Sequence, residues 1–363
     1  MKRRHSAIVA VTLGLALSLT ACGDDDGDSG GSDSGGGGDE AGKIGVILPD
    51  TESSVRWESA DRPALEAAFE EAGVEYDIQN AEGDAEKMTQ IADSMIADGV
   101  NVLAIVNLDS ASGAAIQEKA QSQGVATIDY DRLTLGGSAE YYVSFDNTVV
   151  GELQGQGLAD CLGDKEANIV FLNGSPTDNN ATLFSEGAHS VLDEMTNYTV
   201  VGEQAVPDWD NDEAAVIFQQ LYTAADGKVD GVLAANDGLA GAVISILEGQ
   251  GQAGKVPVTG QDATVEGLQN VLAGRQCMTV YKSATQEAGA LAEAAIALAT
   301  GGEAETTGTV EDTEGGRDVP SILLTPESIT IDNVQSVIDD GGQTAEDVCA
   351  GEFAKLCQEN GVG

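Results

Sequence analysis

Three basic and three acidic side chains stand where predicted strands end, in a chain that is poor in bases. Lys and Arg number 16, against 62 Asp and Glu. The bases are Arg56, Arg132 and Lys282, and the acids are Asp131, Asp178 and Asp262. An ionised carboxylate only accepts hydrogen bonds and Arg and Lys only donate them, so such pairs can hold adjacent hydroxyl groups. Because the six charges balance, the set favours a neutral ligand.

Asp131 and Arg132 are adjacent in the stretch "VATIDYDRL" at 125–133 and admit a second interpretation. Neighbouring opposite charges commonly form a structural ion pair, and the sequence alone leaves that alternative open. The interpretation as ligand contacts rests on the whole set of charges rather than on these two residues.

Two amides and both tryptophans extend the candidate site. Asn180 and Asn236 can each supply one donor and one acceptor. Trp57 and Trp209, the only tryptophans of the chain, follow predicted strands, where a flat apolar face can cover the C–H face of a sugar ring. Packing in the hydrophobic core is the alternative for both, and their position does not separate the two roles.

Groups that could perform catalysis are scarce. Beyond residue 21 the chain has one histidine, His189, in a predicted helix, and neither a nucleophile with a histidine base nor a zinc-binding cluster is evident. The loops "LPDTESSVRW" and "LNGSPTDNN" lack the glycine pattern of nucleotide-binding loops. A net charge of -46 argues against a nucleic-acid partner. We therefore expect a binding protein with no catalytic residues, cofactor or metal.

Short runs rich in Val, Ile and Leu alternate with longer helical segments from Lys43 onward, which predicts an α/β fold with parallel sheets. Each of two groups of five predicted strands is expected to form one doubly wound lobe covered by helices on both faces. The predicted strands are 43–49, 75–81, 101–107, 125–131 and 140–146, then 168–174, 198–204, 230–236, 256–262 and 277–283. Ligands of such sheets lie outside the carboxyl ends of the strands, where the candidate residues are found.

The first 42 residues are predicted to export and tether the protein. "MKRR" and the apolar run 7–19 have the layout of a secretory signal. "LTAC" indicates a lipoprotein signal over 1–21, with Cys22 as the lipidated residue; a plain signal with an incidental cysteine is the alternative. Gly, Ser and acidic residues dominate the rest of 22–42, a composition typical of a flexible tether. We expect an extracytoplasmic protein, lipid-anchored to the outer face of the cytoplasmic membrane.

Four further cysteines form an even set, which suits disulfides in an oxidising compartment. Cys349 and Cys357 are close in sequence and are the favoured pair, which leaves Cys161 with Cys277. Sequence alone does not determine this connectivity.

Several short motifs resemble, in order and spacing, the D-xylose-binding proteins of sugar ABC transporters. They are RW at 56–57, YDR at 130–132, SFDN at 144–147, GSPTDNNATLF at 174–184, AND at 235–237, GQDA at 260–263 and MTVYK at 278–282. The resemblance runs from about Lys43 to the stretch 318–326, and GSPTDNN is its most specific motif. The lipid anchor, the tether, the cysteines and the tail 349–363 depart from it.

The resemblance implies a type I periplasmic-binding-protein fold, in which two lobes joined by a three-stranded hinge close on one monosaccharide, most readily D-xylose. It places the N-terminal lobe at 43–145 plus about 284–324 and the C-terminal lobe at 146–283 plus about 325–363. It also implies a monomer that delivers its sugar to an ABC permease and the associated ATPase. The implied sugar contacts are Arg56, Trp57, Asp131, Arg132, Asp178, Asn180, Trp209, Asn236, Asp262 and Lys282.

Three other functions fit parts of the sequence. A sugar-sensing lipoprotein that presents ribose, glucose, galactose or arabinose to a membrane receptor kinase is the main alternative, and the sequence does not separate it from transport. A sugar-responsive repressor would need a DNA-binding module where this chain has a signal and a tether. An enzyme on the same scaffold is disfavoured by the lack of a nucleophile, a base or a metal site.

Overall fold

A computed structural model describes residues 42–363. The predicted signal peptide, the lipidation site Cys22 and the tether up to residue 41 lie outside the described residues. Within residues 42–363 the chain forms two α/β lobes, and none of the helices there is long and apolar enough to span a bilayer.

Strands and helices alternate along most of the described chain. The strands are β1 (Lys43–Leu48), β2 (Tyr76–Asn80), β3 (Val100–Ile105), β4 (Ala126–Tyr130), β5 (Tyr141–Phe145), β6 (Ala167–Asn173), β7 (Tyr198–Ala205), β8 (Gly231–Ala234), β9 (Thr279–Tyr281), β10 (Gly308–Asp312), β11 (Arg317–Leu324) and β12 (Glu327–Ile329). The helices are α1 (Arg62–Ala72), α2 (Ala85–Ala97), α3 (Ser110–Ser122), α4 (Asn147–Leu162), α5 (Asn179–Leu192), α6 (Asn211–Ala224), α7 (Asp237–Gly249), α8 (Val265–Leu272), α9 (Ala284–Ala299), α10 (Val334–Asp339), α11 (Ala345–Val348) and α12 (Phe353–Asn360). Short helical turns cover Trp57–Asp61 and Pro207–Trp209.

The first lobe is built on a seven-stranded sheet in the order β10-β11-β5-β4-β3-β1-β2. All neighbours are parallel except the β10–β11 pair. Successive side chains of β1 pack on opposite faces, Val46 and Leu48 in one hydrophobic cluster and Ile47 in another. Both faces are therefore buried under helices, as the continuous apolar strands predicted.

The second lobe is built on a parallel sheet in the order β7-β6-β8 and an antiparallel β9–β12 pair. The regular strand predicted at 256–262 is wrong, because this segment is joined to its neighbours only by isolated bridges, Val232–Val258 and Gln261–Val280. Pro257 has no N–H to donate, and the segment changes its partner from β8 to β9 within a few residues. The predicted α/β fold with two doubly wound lobes is otherwise confirmed.

Aspartate side chains cap the helices that follow several strands. Each accepts a hydrogen bond from a backbone N–H of the first helical turn, which satisfies a donor that has no partner within the helix. These caps are Asp84 on α2, Asp109 on α3, Asp146 on α4, Asp178 on α5 and Asp210 on α6. The caps fix the loops at the sheet edge where the candidate residues lie.

The chain passes between the lobes three times, after β5, β9 and β11. Helix α9 returns to the first lobe, where Ala288 and Leu291 pack in the cluster that contains Trp57. Helices α10 to α12 pack on the second lobe. The residue-level lobe boundaries given above stay predictions.

Two disulfides link parts of the second lobe and its tail. One joins Cys161 of α4 to Cys277, just before β9, and the other joins Cys349 to Cys357. These are the pairs that the cysteine spacing favours.

Candidate ligand-binding site

A cavity lies between the lobes, at the loops that follow the strands. Its lining includes all ten residues that the resemblance implied. They are Arg56, Trp57, Asp131, Arg132, Asp178, Asn180, Trp209, Asn236, Asp262 and Lys282. Sequence reasoning missed four further lining residues, Ser53, Ser54, Phe184 and Gln261. The topology thus brings groups that are up to 229 residues apart to one buried surface, as the rule on strand ends predicts.

Asp131 directly follows β4 in a left-handed backbone conformation, with φ of 58°. Such a conformation costs on the order of 1 kcal/mol or more for a residue with a side chain. Three donors hold the Asp131 carbonyl oxygen in place: Tyr142 Oη at 2.9 Å, Ser144 Oγ at 2.9 Å and Asn180 Nδ2 at 2.8 Å. The surrounding structure therefore fixes where the carboxylate of Asp131 points.

The carboxylate of Asp131 is surrounded by bases. Its Oδ2 lies 3.2 Å from Arg56 Nη1 and 3.5 Å from Lys282 Nζ. Burial alone would raise the pKa of Asp131, but the charges of Lys282, Arg56 and Arg132 outweigh burial and hold this pKa below its usual value. Asp131 is thus an ionised, acceptor-only group at neutral pH.

Arg132 takes different partners from Asp131, although the two are adjacent in sequence. Its Nε lies 3.2 Å from Asp178 Oδ2 in the second lobe, and its Nη2 donates to Ser53 Oγ at 3.2 Å. Asp178 Oδ2 also accepts from Trp209 Nε1 at 3.1 Å. Burial raises the pKa of Asp178, and the positive charge of Arg132 only partly opposes that rise. Asp178 therefore orients both a base and an aromatic ring of the cavity wall.

Arg56 is held by two acids that the sequence did not single out. Its Nε and Nη2 donate to Asp61 at 2.8 and 2.6 Å, and Nη2 donates to Glu287 Oε2 at 2.5 Å. Both acids are fully buried. Burial raises the pKa of Glu287 to about 8, against the lowering effect of Arg56. The site region therefore holds five carboxyl groups and three bases rather than the predicted three of each.

The two amides differ in what they can offer a ligand. Asn236 Oδ1 caps α7 by accepting from Leu239 N at 2.9 Å, which leaves the amide nitrogen as a donor. Asn180 Oδ1 accepts from Asn147 Nδ2 at 2.8 Å, and Asn180 Nδ2 donates to Asp131. Asn180 thus supports Asp131, whereas Asn236 presents a donor to the cavity.

Asp262 and Lys282 complete the polar wall on the second lobe. Asp262 follows the segment 256–261 with φ of 95°, and Lys282 follows β9. Lys282 Nζ lies 3.9 Å from Asp262 Oδ1, slightly farther than from the Asp131 carboxylate. Lys282 is therefore placed to bridge acids of both lobes.

Both tryptophans pack in hydrophobic clusters and also line the cavity. Trp57 and Trp209 are 3% and 5% exposed and belong to hydrophobic clusters, yet both line the cavity. The Arg56 guanidinium lies 4.6 Å from the centre of the Trp57 ring. Phe184 meets Trp209 edge to face, with ring centres 6.4 Å apart. The polar groups are thus flanked by aromatic surface on both lobes.

Some of the missed residues had a signal in the sequence and others had none. Phe184 and Gln261 lie within the motif stretches GSPTDNNATLF and GQDA, beside residues that were chosen. Glu287 is 231 positions from Arg56, and nothing in the sequence connects the two before the fold is known.

His189 lies apart from the cavity and contacts Asp193 and Glu203 by hydrogen bonds of 3.0 and 3.2 Å. Within the part of the chain that the structure describes, no three His, Cys, Asp or Glu residues are grouped to hold a metal ion. The arrangement of the cavity suits recognition of a polar ligand rather than its chemical conversion.

Comparisons with known proteins agree with the geometry. A family model described as a periplasmic binding protein domain matches residues 44–303. The D-xylose-binding periplasmic protein of Escherichia coli (strain K12) is 37% identical over 303 residues, which cover 82% of this chain and 90% of that protein. The multiple sugar-binding periplasmic receptor ChvE of Rhizobium radiobacter is 33% identical over 323 residues, which cover 84% of this chain and 91% of that protein.

A solved structure shares the fold over nearly its full length. The carbohydrate transporter solute binding protein of Chloroflexus aurantiacus, in complex with D-glucose, matches with a TM-score of 0.77 at 30% identity. The match covers 84% of this chain and 97% of that one. These relatives bind solutes and are not enzymes, and neither is this protein. With the family model matching most of the described residues, the chain belongs to the periplasmic binding protein family and has its type I fold.

Proposed function

We propose that this chain is the extracytoplasmic solute-binding lipoprotein of an ABC sugar importer and binds one monosaccharide between its lobes. The observation that carries the proposal is the lining of the cavity, where acceptor-only carboxylates and donor-only bases lie side by side between aromatic rings. A neutral ligand with several neighbouring hydroxyl groups satisfies both kinds of partner at once.

Eleven of the fourteen lining residues have a role in this proposal. Asp131 and Asp262 accept hydrogen bonds from sugar hydroxyls, and Arg56, Arg132, Lys282 and Asn236 donate to them. Trp57, Trp209 and Phe184 cover the C–H faces of the ring. Asp178 and Asn180 hold Arg132, Trp209 and Asp131 in position and accept from the ligand with their remaining lone pairs.

D-xylose is the favoured ligand. The support comes from the relatives at 37% and 35% identity, both named as D-xylose-binding periplasmic proteins. Other relatives are named for several sugars, and one solved structure of similar fold holds D-glucose. Glucose differs from xylose by one hydroxymethyl group, and exclusion by filling that space is worth only about 1 to 3 kcal/mol. Small changes in the wall can therefore shift the preference.

Closure about the three crossovers is the proposed mechanism. Two ion pairs already join the lobes across the cavity, Arg132 with Asp178 at 3.2 Å and Lys282 with Asp131 at 3.5 Å. In an open form these partners separate and each lobe offers half of the site. A sugar that bridges the two halves stabilises the closed form, because it contacts both lobes at once only in that form.

Delivery to a membrane permease follows from the closed form, with Cys22 as the proposed lipid anchor and the protein acting as a monomer. The sensing alternative has one supporting observation, since the Rhizobium relative is named a receptor. Uptake of labelled xylose in a strain that lacks this protein separates the two. Lost uptake supports import, whereas intact uptake with lost sugar-dependent gene expression supports sensing.

The ligand is tested by tryptophan fluorescence of the purified protein titrated with xylose, ribose, arabinose, glucose and galactose. Both tryptophans line the cavity, so a bound sugar changes their environment. We expect xylose to give a saturable change at the lowest concentration. Tighter binding of another sugar would correct the ligand, and no change with any of them would contradict the proposed function.

A further inference from the structure

The first loop, residues 49–56, contacts the second lobe at the edge of the cavity through two serines that lie outside the ten predicted contacts. Ser54 Oγ donates to Asp262 Oδ2 at 3.2 Å, and Ser53 O accepts from Asn236 Nδ2 at 3.3 Å. Each bond joins the first lobe to the second. Both second-lobe partners are residues proposed to contact the sugar.

The first loop is shaped before it meets the second lobe. Asp50 Oδ1 accepts from the backbone N–H groups of Glu52 at 2.8 Å and Ser53 at 2.6 Å. Ser53 Oγ in turn accepts from Trp57 Nε1 at 3.1 Å and Arg132 Nη2 at 3.2 Å. All of these bonds lie within the first lobe, so they persist when the lobes part. The Ser53 carbonyl and the Ser54 hydroxyl are therefore presented ready for the opposite lobe.

The opposite side is equally fixed. The side-chain oxygen of Asn236 accepts a hydrogen bond from the N-terminus of α7, so the side-chain NH₂ group is turned toward the first loop. Asp262 is only 7% exposed at its side chain. A carboxylate has enough lone pairs to accept from Ser54 and from a sugar hydroxyl together. Asp262 and Asn236 can therefore form these bonds without giving up a hydrogen bond to the sugar.

The two bonds also lie at the border of two pockets. Ser53, Ser54, Asn236 and Asp262 line both the cavity and a larger neighbouring pocket. A ligand that leaves the cavity toward that pocket passes these residues. Their position therefore bears on how fast a bound sugar is released.

We propose that Ser53 and Ser54 form a latch between the lobes that slows sugar release and is not itself a sugar contact. This inference rests on the proposed function of monosaccharide binding by lobe closure. Because the latch forms only after the lobes meet, its loss raises the dissociation rate and leaves the association rate unchanged. A hydrogen bond to a charged group is worth about 1.5 kcal/mol or more, which corresponds to roughly a tenfold faster release.

The test is stopped-flow tryptophan fluorescence of the full-length protein with D-xylose, comparing Ser54→Ala with the wild type. Ser54→Thr keeps a hydroxyl and is the conservative variant. Ser59→Ala is the matched control, since Ser59 is exposed nearby and bonds only to Val55 O, at 2.8 Å. We expect release to be about tenfold faster in Ser54→Ala, with unchanged association and unchanged melting temperature. Ser54→Thr and Ser59→Ala should stay close to the wild type.

Three results would overturn the latch. Unchanged release in Ser54→Ala would show that the bond does not hold the lobes, and a slower association would show that Ser54 acts in the first encounter with sugar. Equal effects of Ser54→Ala and Ser59→Ala would show a general disturbance of the loop. If the wild type binds no sugar at all, the proposed function fails and the latch fails with it, whereas the first three results leave sugar binding intact.

Discussion

Replacing Asp131 by Asn removes a proposed sugar contact with little disturbance of the fold. Asn tolerates the left-handed backbone that Asp131 adopts at φ of 58°, whereas Ala would add strain there. The bonds from Tyr142, Ser144 and Asn180 to the Asp131 carbonyl oxygen involve only the backbone of residue 131 and are kept. The substitution therefore changes mainly the charge and the hydrogen-bonding character of one side chain.

The expected loss of affinity follows from the carboxylate's role as an ionised acceptor. A hydrogen bond to a charged group contributes about 1.5 to 3 kcal/mol, and each 1.4 kcal/mol is tenfold in Kd. We expect the Kd for sugar to rise about tenfold to a hundredfold in Asp131→Asn. Stability of the empty protein should change little, because Arg56 keeps Asp61 and Glu287 as partners. We expect the melting temperature of the empty protein to shift by less than about 2 °C in a chain of this size.

Isothermal titration calorimetry and thermal melting together show whether Asp131 is a ligand contact or a structural ion-pair residue. Asp226→Asn is the matched control, since Asp226 is exposed, has a similar φ of 53° and does not line the cavity. Unchanged affinity in Asp131→Asn, together with a large fall in melting temperature, would show that Asp131 is a structural ion-pair residue and refute its role as a ligand contact.

Three further predictions concern the surroundings of the site. Burial raises the pKa of Glu287 from 4.5 to about 8, so its contribution to stability is complete below about pH 4.5 and is lost as the pH rises through 8. The melting temperature should therefore fall less between pH 6 and pH 8 in Glu287→Gln than in the wild type. An equal fall in both proteins would contradict this. A methyl group on Gly174 would overlap the indole of Trp209, so Gly174→Ala should shift tryptophan emission and weaken sugar binding, and normal binding would show that the ring can move freely. Removing the disulfide between Cys161 and Cys277, which are 116 positions apart, should lower stability by up to about 5 kcal/mol with sugar affinity kept; an unchanged melting temperature would contradict the expected contribution of this cross-link.

Much of the fold was predictable because its strands are continuous and apolar. The first five predicted strands differ from β1 to β5 by no more than a residue or two at their ends. The segment 256–262 misled the prediction because its Val residues are typical of a strand, while its pairing is split between two neighbours. Apolar pattern indicates burial, but it does not show which partner each residue pairs with.

The candidate site was predictable where its residues follow strands, since parallel strands end at one edge of a sheet. Asp131, Asn236 and Lys282 are of this kind. Asp61 and Glu287 come from helical segments instead, and their link to Arg56 exists only in the folded chain. The left-handed backbone at Asp131, Trp209 and Asp262 also left no mark in the sequence. Distant contacts and local strain are thus the features that needed coordinates.

Calorimetric titration of the purified protein with D-xylose measures directly whether the cavity binds a monosaccharide. We expect saturable binding of one xylose per chain, since the ten residues line a single cavity between the lobes. Absence of binding heat with xylose and with the four other monosaccharides, from protein that melts cooperatively, would contradict it.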